Sequence, residues 1–247
     1  MANGVYSETV NMQGPPWTGE LVVPQPALGL VLCLRHSTTA LDRRRSQRAV
    51  EVLQMQGLAC LSFDLLSAEE ENRRKHLNTA LLARRLDQAM DWVERRTELN
   101  RHRVGLFGAN TAAAAAMRVA AERPHDVAAL VLQESGGDLG LDTLAPVWGK
   151  TPLQVPTLLV VDAADAAALA HSRALLRRLG GPKRLEVAPC SASQCRSRLT
   201  RGCAGLGGEL VRAPPASAAR CLRRRIKRPL RATRGRLCPG GAPGQSG

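Results

Sequence analysis

Short apolar runs alternate with longer amphipathic stretches between residues 20 and 188 of this 247-residue chain. The short runs are apolar almost throughout, which is typical of strands buried on both faces of a sheet. The longer stretches carry apolar residues three and four positions apart, which is the spacing of one helix face. The predicted strands are Leu28–Leu34, Leu58–Phe63, Val104–Phe107, Ala128–Leu132, Thr157–Val161 and Leu185–Val187. The predicted helices are Arg44–Gln56, Leu77–Arg96, Thr111–Glu122 and Ala166–Leu179.

Strands of this kind, separated by helices, indicate a parallel sheet that is covered by helices on both faces. The predicted fold class is therefore α/β, with a doubly wound and mostly parallel sheet. In such sheets, ligands bind in the crevice outside the carboxyl ends of the strands. The functional residues are therefore expected in the loops that follow those ends.

The segment from Arg103 to Ala113 (RVGLFGANTAA) is the most informative stretch of the chain. An apolar strand runs into Gly108, one small residue, a polar residue and then an alanine-rich helix. This order has the form of the nucleophile elbow, G-x-S-x-G, which exposes a serine on a sharp turn between a strand and a helix. Here Asn110 stands at the serine position and Ala112 at the second glycine. A carboxamide nitrogen is not a nucleophile, because its lone pair is delocalised into the carbonyl group.

Each candidate residue also has a purely structural interpretation. Asparagine is common at tight turns because it tolerates strained backbone. A lone aspartate after a strand, such as Asp165, is more often a loop or helix-cap residue than a catalytic one. Thr111 is conceivable as a replacement nucleophile, but it lies one residue beyond the apex of the turn and has no evident base. No histidine follows His171, and the histidines other than His36 lie in polar or helical surroundings.

Residues 20–189 resemble the dienelactone-hydrolase-like family of α/β-hydrolases, and the matching pieces occur in the family's order. Gly29–His36 is similar to the strand that ends in a His-Gly motif, and Phe63–Glu70 (FDLLSAEE) is similar to the FDLLTxEE strand end. Gly108–Ala113 (GANTAA) is similar to a GASTGAA elbow. Val155–Val161, followed by Asp165, is similar to the strand that leads to the catalytic acid. The resemblance covers about two thirds of the chain.

The resemblance implies a reaction and a set of site positions. The family hydrolyses esters or lactones with a serine or cysteine nucleophile, an aspartate and a histidine, while backbone amides stabilise the oxyanion. By position, Asn110 stands at the nucleophile and Asp165 at the triad acid. His36, Ser37 and the backbone of Thr111 stand in the oxyanion-hole region. The histidine is expected in a Pro-Gly-x-x-His stretch, but residues 189–194 read PCSASQ and contain none.

These departures predict a protein with impaired or absent catalysis. The His-Gly loop reads HSTT at residues 36–39, so the glycines that let the backbone approach a ligand are missing. The resemblance implies a small ester or lactone ligand, with no cofactor and no metal. Family members are also found joined to phosphoribosyltransferase domains, although no part of this chain resembles one.

The net charge of +14 is concentrated towards the C-terminus. From residue 191 onward the chain has 13 Lys and Arg against one acidic residue, whereas the first 190 residues have 22 basic and 20 acidic ones. The same region is rich in Arg, Ala, Gly and Pro and poor in large apolar residues, a composition that favours disorder. The sequence therefore predicts an α/β-hydrolase-like domain at 1–189 and a low-order basic tail at 190–247.

Three interpretations of this tail remain open. The abrupt change of composition and the loss of resemblance after residue 187 favour a shifted reading frame of a GC-rich coding sequence. An arginine-rich segment also binds nucleic acid through its phosphates, with strong salt dependence and little sequence preference. A solvated tail without a partner is the third interpretation. The alternative function is therefore a non-enzymatic protein whose tail contacts nucleic acid or another anionic partner.

Cysteine spacing and hydropathy exclude several other classes. The chain has seven cysteines but no C-x-x-C pair, and no histidine lies among the five cysteines from residue 190 onward, so no zinc site is predicted. No run approaches the roughly 20 apolar residues of a membrane helix. The N-terminus lacks the basic and apolar regions of a secretion signal. We therefore expect no membrane partner and a cytoplasmic location.

Overall fold

The computed structural model describes residues 5–12, 17–35, 40–67, 69–70, 73, 78–96, 98–99, 104–134 and 152–188. The strands in these ranges are β1 (Val5–Met12), β2 (Trp17–Pro24), β3 (Gly29–Arg35), β4 (Leu58–Asp64), β5 (Val104–Ala109), β6 (Val127–Glu134), β7 (Thr157–Asp162) and β8 (Lys183–Ala188). The longer helices are α1 (Ala40–Met55), α2 (Thr79–Arg95), α3 (Thr111–Glu122) and α4 (Ala166–Arg178). The tail predicted at 190–247 lies outside the described residues.

All eight strands join one sheet in the order β1-β2-β4-β3-β5-β6-β7-β8. Neighbours among β3 to β8 are parallel, whereas β1 pairs with β2, and β2 with β4, in the antiparallel sense. The six predicted strands correspond to β3–β8, and the four predicted helices to α1–α4, with ends that differ by a few residues. The predicted α/β class with a mostly parallel sheet is thus confirmed.

The N-terminal hairpin of β1 and β2 does not follow from the apolar-run pattern. β1 is exposed at most of its described positions, and Val10 is its buried apolar residue. An antiparallel strand at the edge of a sheet buries at most one of its faces. It therefore lacks the continuous apolar run of a central parallel strand, which is buried on both faces. The pattern of apolar runs therefore does not predict this hairpin.

The core lies on both faces of the sheet. Alternate residues of each central strand divide between the faces, so that Leu30 and Leu32 pack with α2, α3 and α4, while Val31 and Cys33 pack on the side of α1. This division is why the central strands are apolar at successive positions. Among the described helices, none combines the length and the apolar character needed to cross a membrane.

A polar cluster joins α2 to the C-terminal end of α3. The guanidinium of Arg123 donates to Asp87 (2.8 Å), Asp91 (2.7 Å) and Glu94 (2.5 Å) and to Asp126 (2.8 Å) in the next turn. Burial of the guanidinium lowers the pKa of Arg123, but hydrogen bonds to Asp87, Asp126 and Asp91 outweigh this effect and hold the pKa above its ordinary value. The charge of Arg123 is therefore fixed, and it ties the two helices together.

Candidate functional site

Asn110 forms a sharp turn at the carboxyl edge of the sheet. β5 ends at Ala109 and α3 begins at Thr111. The backbone of Asn110 has φ 52° and ψ −126°, a conformation that costs a non-glycine residue on the order of 1–3 kcal/mol. Its N–H donates to the carbonyl of Gln133 in β6 (3.0 Å), and its own carbonyl accepts from the N–H of Ala113 (3.0 Å). Hydrogen bonds to two separate elements hold the strained turn in place.

Gly108 allows α3 to start so close to β5. A Cβ atom on Gly108 would lie 2.9 Å from the carbonyl oxygen of Ala112 and 3.0 Å from the backbone nitrogen of Ala113. These are backbone atoms, so a side chain at this position would displace the helix. Ala112 stands at the second glycine of the elbow pattern and is fully buried. The turn is therefore built with one of the two glycines of the pattern.

The side chain of Asn110 does not cap the helix that it precedes. No side-chain hydrogen bond joins Asn110 to the first turn of α3. At the start of α2, by contrast, the Oδ1 atom of Asn78 accepts from the N–H of Leu81 at 3.0 Å. Capping, which is the usual reason for an asparagine before a helix, therefore does not account for Asn110.

Thr111 is the first residue of α3. Its Oγ1 atom is buried and has no hydrogen-bond partner in the part of the chain that the structure describes. Amides in the first turn of a helix have no acceptor within the helix, and this end carries the positive end of the helix dipole. The first turn of α3 holds no acidic residue. This end of α3 has the donors that the predicted oxyanion role requires, while the role itself stays a prediction.

Asp165 follows β7 at the same edge of the sheet. β6 alone separates β7 from β5, and all three strands are parallel, so two strand spacings of about 5 Å each separate the two positions across the sheet. The Oδ1 atom of Asp165 accepts from the N–H of Ala168 at 2.8 Å and so caps α4. The structure places Asn110 and Asp165 at one edge of the sheet. It also gives Asp165 a structural task, and its part in a triad stays a prediction.

The predicted oxyanion residues His36 and Ser37 lie outside the described residues. Of the five histidines, the structure describes His125 and His171. His125 is exposed in the turn between α3 and β6, at the amino edge of the sheet. His171 lies in the second turn of α4. Within the described ranges, no histidine follows a strand at the carboxyl edge, and no group of three or more His, Cys, Asp and Glu side chains could hold a metal ion.

Two ion pairs near this edge are absent from the sequence-based prediction. Arg35, at the end of β3, donates to Asp64, at the end of β4, with distances of 2.9 Å (Nε–Oδ1) and 3.3 Å (Nη2–Oδ2). Arg85 of α2, only 4% exposed, donates to both carboxylate oxygens of Glu70 (2.7 and 2.6 Å) and to the carbonyl of Leu65 (2.7 Å). The first pair joins the carboxyl ends of β3 and β4, and the second holds Leu65 and Glu70, after β4, against α2. For the first pair, the charged residue directly after each apolar run was the available signal.

Comparison with solved structures agrees with this architecture. The chain is 34% identical to a dienelactone hydrolase from Anabaena variabilis, and the two structures match with a TM-score of 0.67 over 84% of this chain and 96% of that one. Est1E from Butyrivibrio proteoclasticus, at 12% identity, shares the fold with a TM-score of 0.65 over 83% of this chain and 98% of its own. No family model matches the chain.

Among curated proteins, a Mycobacterium tuberculosis protein that is named as a phosphoribosyl transferase is 35% identical to this chain over 178 residues, in two strains. The match takes up 71% of this chain and 39% of that protein, so the chain spans about two fifths of the length of this relative. The match to the dienelactone hydrolase, in contrast, takes in nearly the whole of that enzyme. With the sheet order and the elbow described above, this match shows that the chain belongs to the dienelactone-hydrolase-like family of the α/β-hydrolase superfamily.

Proposed function

We propose that this chain is a catalytically impaired member of its family, which binds a small ester, lactone or carboxylic acid at the elbow and does not hydrolyse it through a serine triad. The observation that carries the proposal is the turn at Asn110. Its backbone has the strained geometry that presents a nucleophile above the sheet, at φ 52° and ψ −126°. Its side chain is a carboxamide, which cannot attack a carbonyl carbon.

Hydrolysis by the family mechanism lacks two of its three triad groups. The first step needs an oxygen or sulfur nucleophile, and position 110 supplies neither. That step also needs a base to accept the proton, and the chain has no histidine after His171. The Oδ1 atom of Asp165 accepts from the N–H of Ala168 as a helix cap, so a restored histidine would share this carboxylate with α4. Because triad members act as a unit, the loss of two of them removes most of the catalysis.

The capacity to bind an acyl oxygen is better preserved. The amides at the start of α3 point towards the carboxyl edge, and they suit the carbonyl oxygen of an ester or the oxygens of a carboxylate. The buried hydroxyl of Thr111, which has no partner among the described residues, is a further donor. Hydrogen bonds to a charged acceptor contribute about 1.5–3 kcal/mol each. We therefore expect a carboxylate to bind more tightly than a neutral ester of the same shape.

Turnover is tested with p-nitrophenyl acetate and with a simple aromatic lactone. We expect the natural chain to be no faster than Asn110→Ala, and Asn110→Ser to gain nothing because the histidine is still missing. Hydrolysis by the natural chain that Asn110→Ala abolishes would contradict the proposal. Robust esterase activity in Asn110→Ser would show that another group acts as the base.

Binding is tested separately, by following the backbone amide resonances of residues 110–113 during titration with butyrate. We expect these resonances to shift and the affinity to fall about tenfold in Thr111→Val, which keeps the side-chain shape and removes the hydroxyl. Thr157→Val is the matched control. Thr157, the first residue of β7, is also buried, but its Oγ1 already donates to the carbonyl of Val155. Equal loss in the two variants, or no shift at all, would contradict a ligand site at the elbow.

A second candidate function rests on the sequence of residues 191–247, with 13 basic residues against one acidic residue. Such a segment would bind nucleic acid through phosphates, so its affinity should fall steeply with salt. We propose to replace Arg223, Arg224 and Arg225 by glutamine in the full chain and to compare this variant with the corresponding lysine triple variant. Loss of binding with glutamine but not with lysine would support the tail as the contact. Equal affinity in all three proteins would exclude it.

A further inference from the structure

Among the described residues, β1 is the edge strand of the sheet. In the described part of the chain it pairs with β2 alone. All eight of its residues are in continuous register with β2, from Val5 opposite Pro24 to Met12 opposite Trp17, without a bulge. An edge strand of this kind presents a row of N–H and C=O groups that can accept another strand.

The features that usually block such an edge are missing from β1. Its sequence, VYSETVNM, contains no lysine, arginine or proline. Its one charged residue, Glu8, already accepts from Arg96 (2.9 Å) and from the hydroxyl of Tyr6 (2.7 Å). Val5 and Tyr6 are 65% and 48% exposed. The strand is therefore long, regular, partly apolar and without a free charge on its edge.

We propose that β1 pairs antiparallel with β1 of a second copy of this chain, about a two-fold axis through Ser7. Residues directly opposite each other in antiparallel strands point to the same face of the sheet. A two-fold axis perpendicular to the sheet leaves every residue on its own face. The axis must therefore pass through a residue position and not between two residues. An axis at Glu8 places two carboxylates directly opposite each other, which is unfavourable. An axis at Thr9 places Glu8 opposite the buried Val10. An axis at Ser7 places each Glu8 opposite Tyr6 of the other copy.

In this register the side chains that lie opposite each other are also chemically complementary. The Tyr6 hydroxyl is a donor and the Glu8 carboxylate an acceptor, and the two already form such a bond within one chain. The same two-fold places Val5 opposite Thr9, which pairs an apolar residue with a β-branched one. Each Glu8 carboxylate is paired with Arg96 of its own chain, so no unpaired Glu8 charge lies at the seam. The pairing spans only a few residues, so it gives a dimer that forms reversibly with concentration.

Disulfide trapping tests the register directly. In the proposed dimer the two Ser7 Cα atoms lie about 4.5–5.5 Å apart, which suits a disulfide. The two Asn11 Cα atoms lie about 27 Å apart, eight residues at about 3.4 Å each. Ser7 and Asn11 are both exposed and on the same face of β1. We therefore expect Ser7→Cys to form a covalent dimer at least tenfold faster than Asn11→Cys under mild oxidation, and peptide mapping to identify the 7–7 bond.

Both variants carry the same seven native cysteines, so a difference between them belongs to β1. Sedimentation of the natural chain should show a dimer at about 100 µM, and Ser7→Lys, which puts two cations opposite each other, should be monomeric at that concentration. A natural chain that stays monomeric overturns the proposal. A dimer that persists in Ser7→Lys, or equal trapping at positions 7 and 11, overturns it as well.

Discussion

The two asparagines that precede helices show how much the role of one residue type depends on its backbone. Asn78 has φ −90° and caps α2 with its side chain. Asn110 has φ 52°, makes no cap bond, and holds the turn through its backbone N–H and carbonyl. The sequence places both at helix starts, but it does not distinguish a cap from a strained apex.

Replacement of Asn110 by glycine should stabilise the fold by about 1 kcal/mol. Glycine adopts φ 52° and ψ −126° without steric cost, and this relief exceeds its larger loss of entropy on folding. Urea unfolding of the variant and of the natural chain measures the difference. The matched substitution Asn78→Gly removes a cap and relieves no strain, so it should lose a few tenths of a kcal/mol. A loss of stability in both variants would contradict the strain at Asn110.

At the scale of the element, α2 contacts segments that are distant from it in the described sequence, through both apolar and charged side chains. Its buried apolar face, which includes Leu82, Leu86 and Val93, follows the periodicity of the sequence, and that face was predicted. Its polar contacts were not predicted. Arg85 meets Glu70 from 15 positions earlier, and Asp87 meets Arg123 from 36 positions later. Periodicity shows which face is apolar, but the partner of a charged side chain is set by the packing of distant segments.

The cluster around Arg123 should contribute much more than an ordinary surface pair. Arg123→Met leaves four carboxylates close together without their cation. We expect the free energy of unfolding to fall by about 2 kcal/mol. This is less than for a fully buried pair, because three of the four acids are at least one-third exposed. Arg118→Met, on the same helix, breaks one exposed pair with Glu122 and should cost less than about 0.5 kcal/mol. Equal losses in urea unfolding would show that the cluster has no special role.

The contact between β1 and the end of α2 should weaken in acid. Hydrogen bonds from Arg96 and from Tyr6 lower the pKa of Glu8 in the folded state. The folded chain therefore binds the Glu8 proton less tightly than the unfolded chain does. This contribution to stability is fully present above the pKa of an unfolded glutamate, and it is lost as the pH falls through the lower, folded value.

Unfolding midpoints of the natural chain and of Glu8→Gln measure this effect between neutral pH and a pH of about 3. The natural chain should be more stable at neutral pH, and the two curves should converge in acid. Glu20→Gln, on the neighbouring β2, controls for the loss of one exposed charge. A gap between the natural chain and Glu8→Gln that stays constant with pH would show that the ionised carboxylate is not what holds β1.

At the scale of the whole molecule, the sequence predicts the parallel part of the sheet and the turn at Asn110. The apolar runs locate β3–β8, because strands buried on both faces are apolar throughout. The hairpin of β1 and β2 escapes this pattern, since Tyr6 and its neighbours face solvent. The elbow motif predicts the turn at Asn110, while Asp165 as the triad acid stays a prediction from the resemblance. The Arg35–Asp64 pair depends on the parallel register of β3 and β4, which no local pattern encodes.

Limited digestion with trypsin tests the predicted division of the chain at residue 189. Residues 191–247 hold 13 basic residues and few large apolar ones, so the sequence predicts that they cannot bury a core. Arginines such as Arg85 and Arg123, in contrast, lie in helices or at their ends and are engaged in ion pairs. Proteases cut segments that open locally long before they cut a folded core.

We therefore expect the first cuts beyond residue 190, with a fragment that ends near that residue persisting in mass spectra of the time course. Heating the chain through its unfolding transition should remove this preference, because the 22 basic residues of the first 190 then become substrates as well. Early cuts on both sides of residue 189 under native conditions would show that the boundary is misplaced.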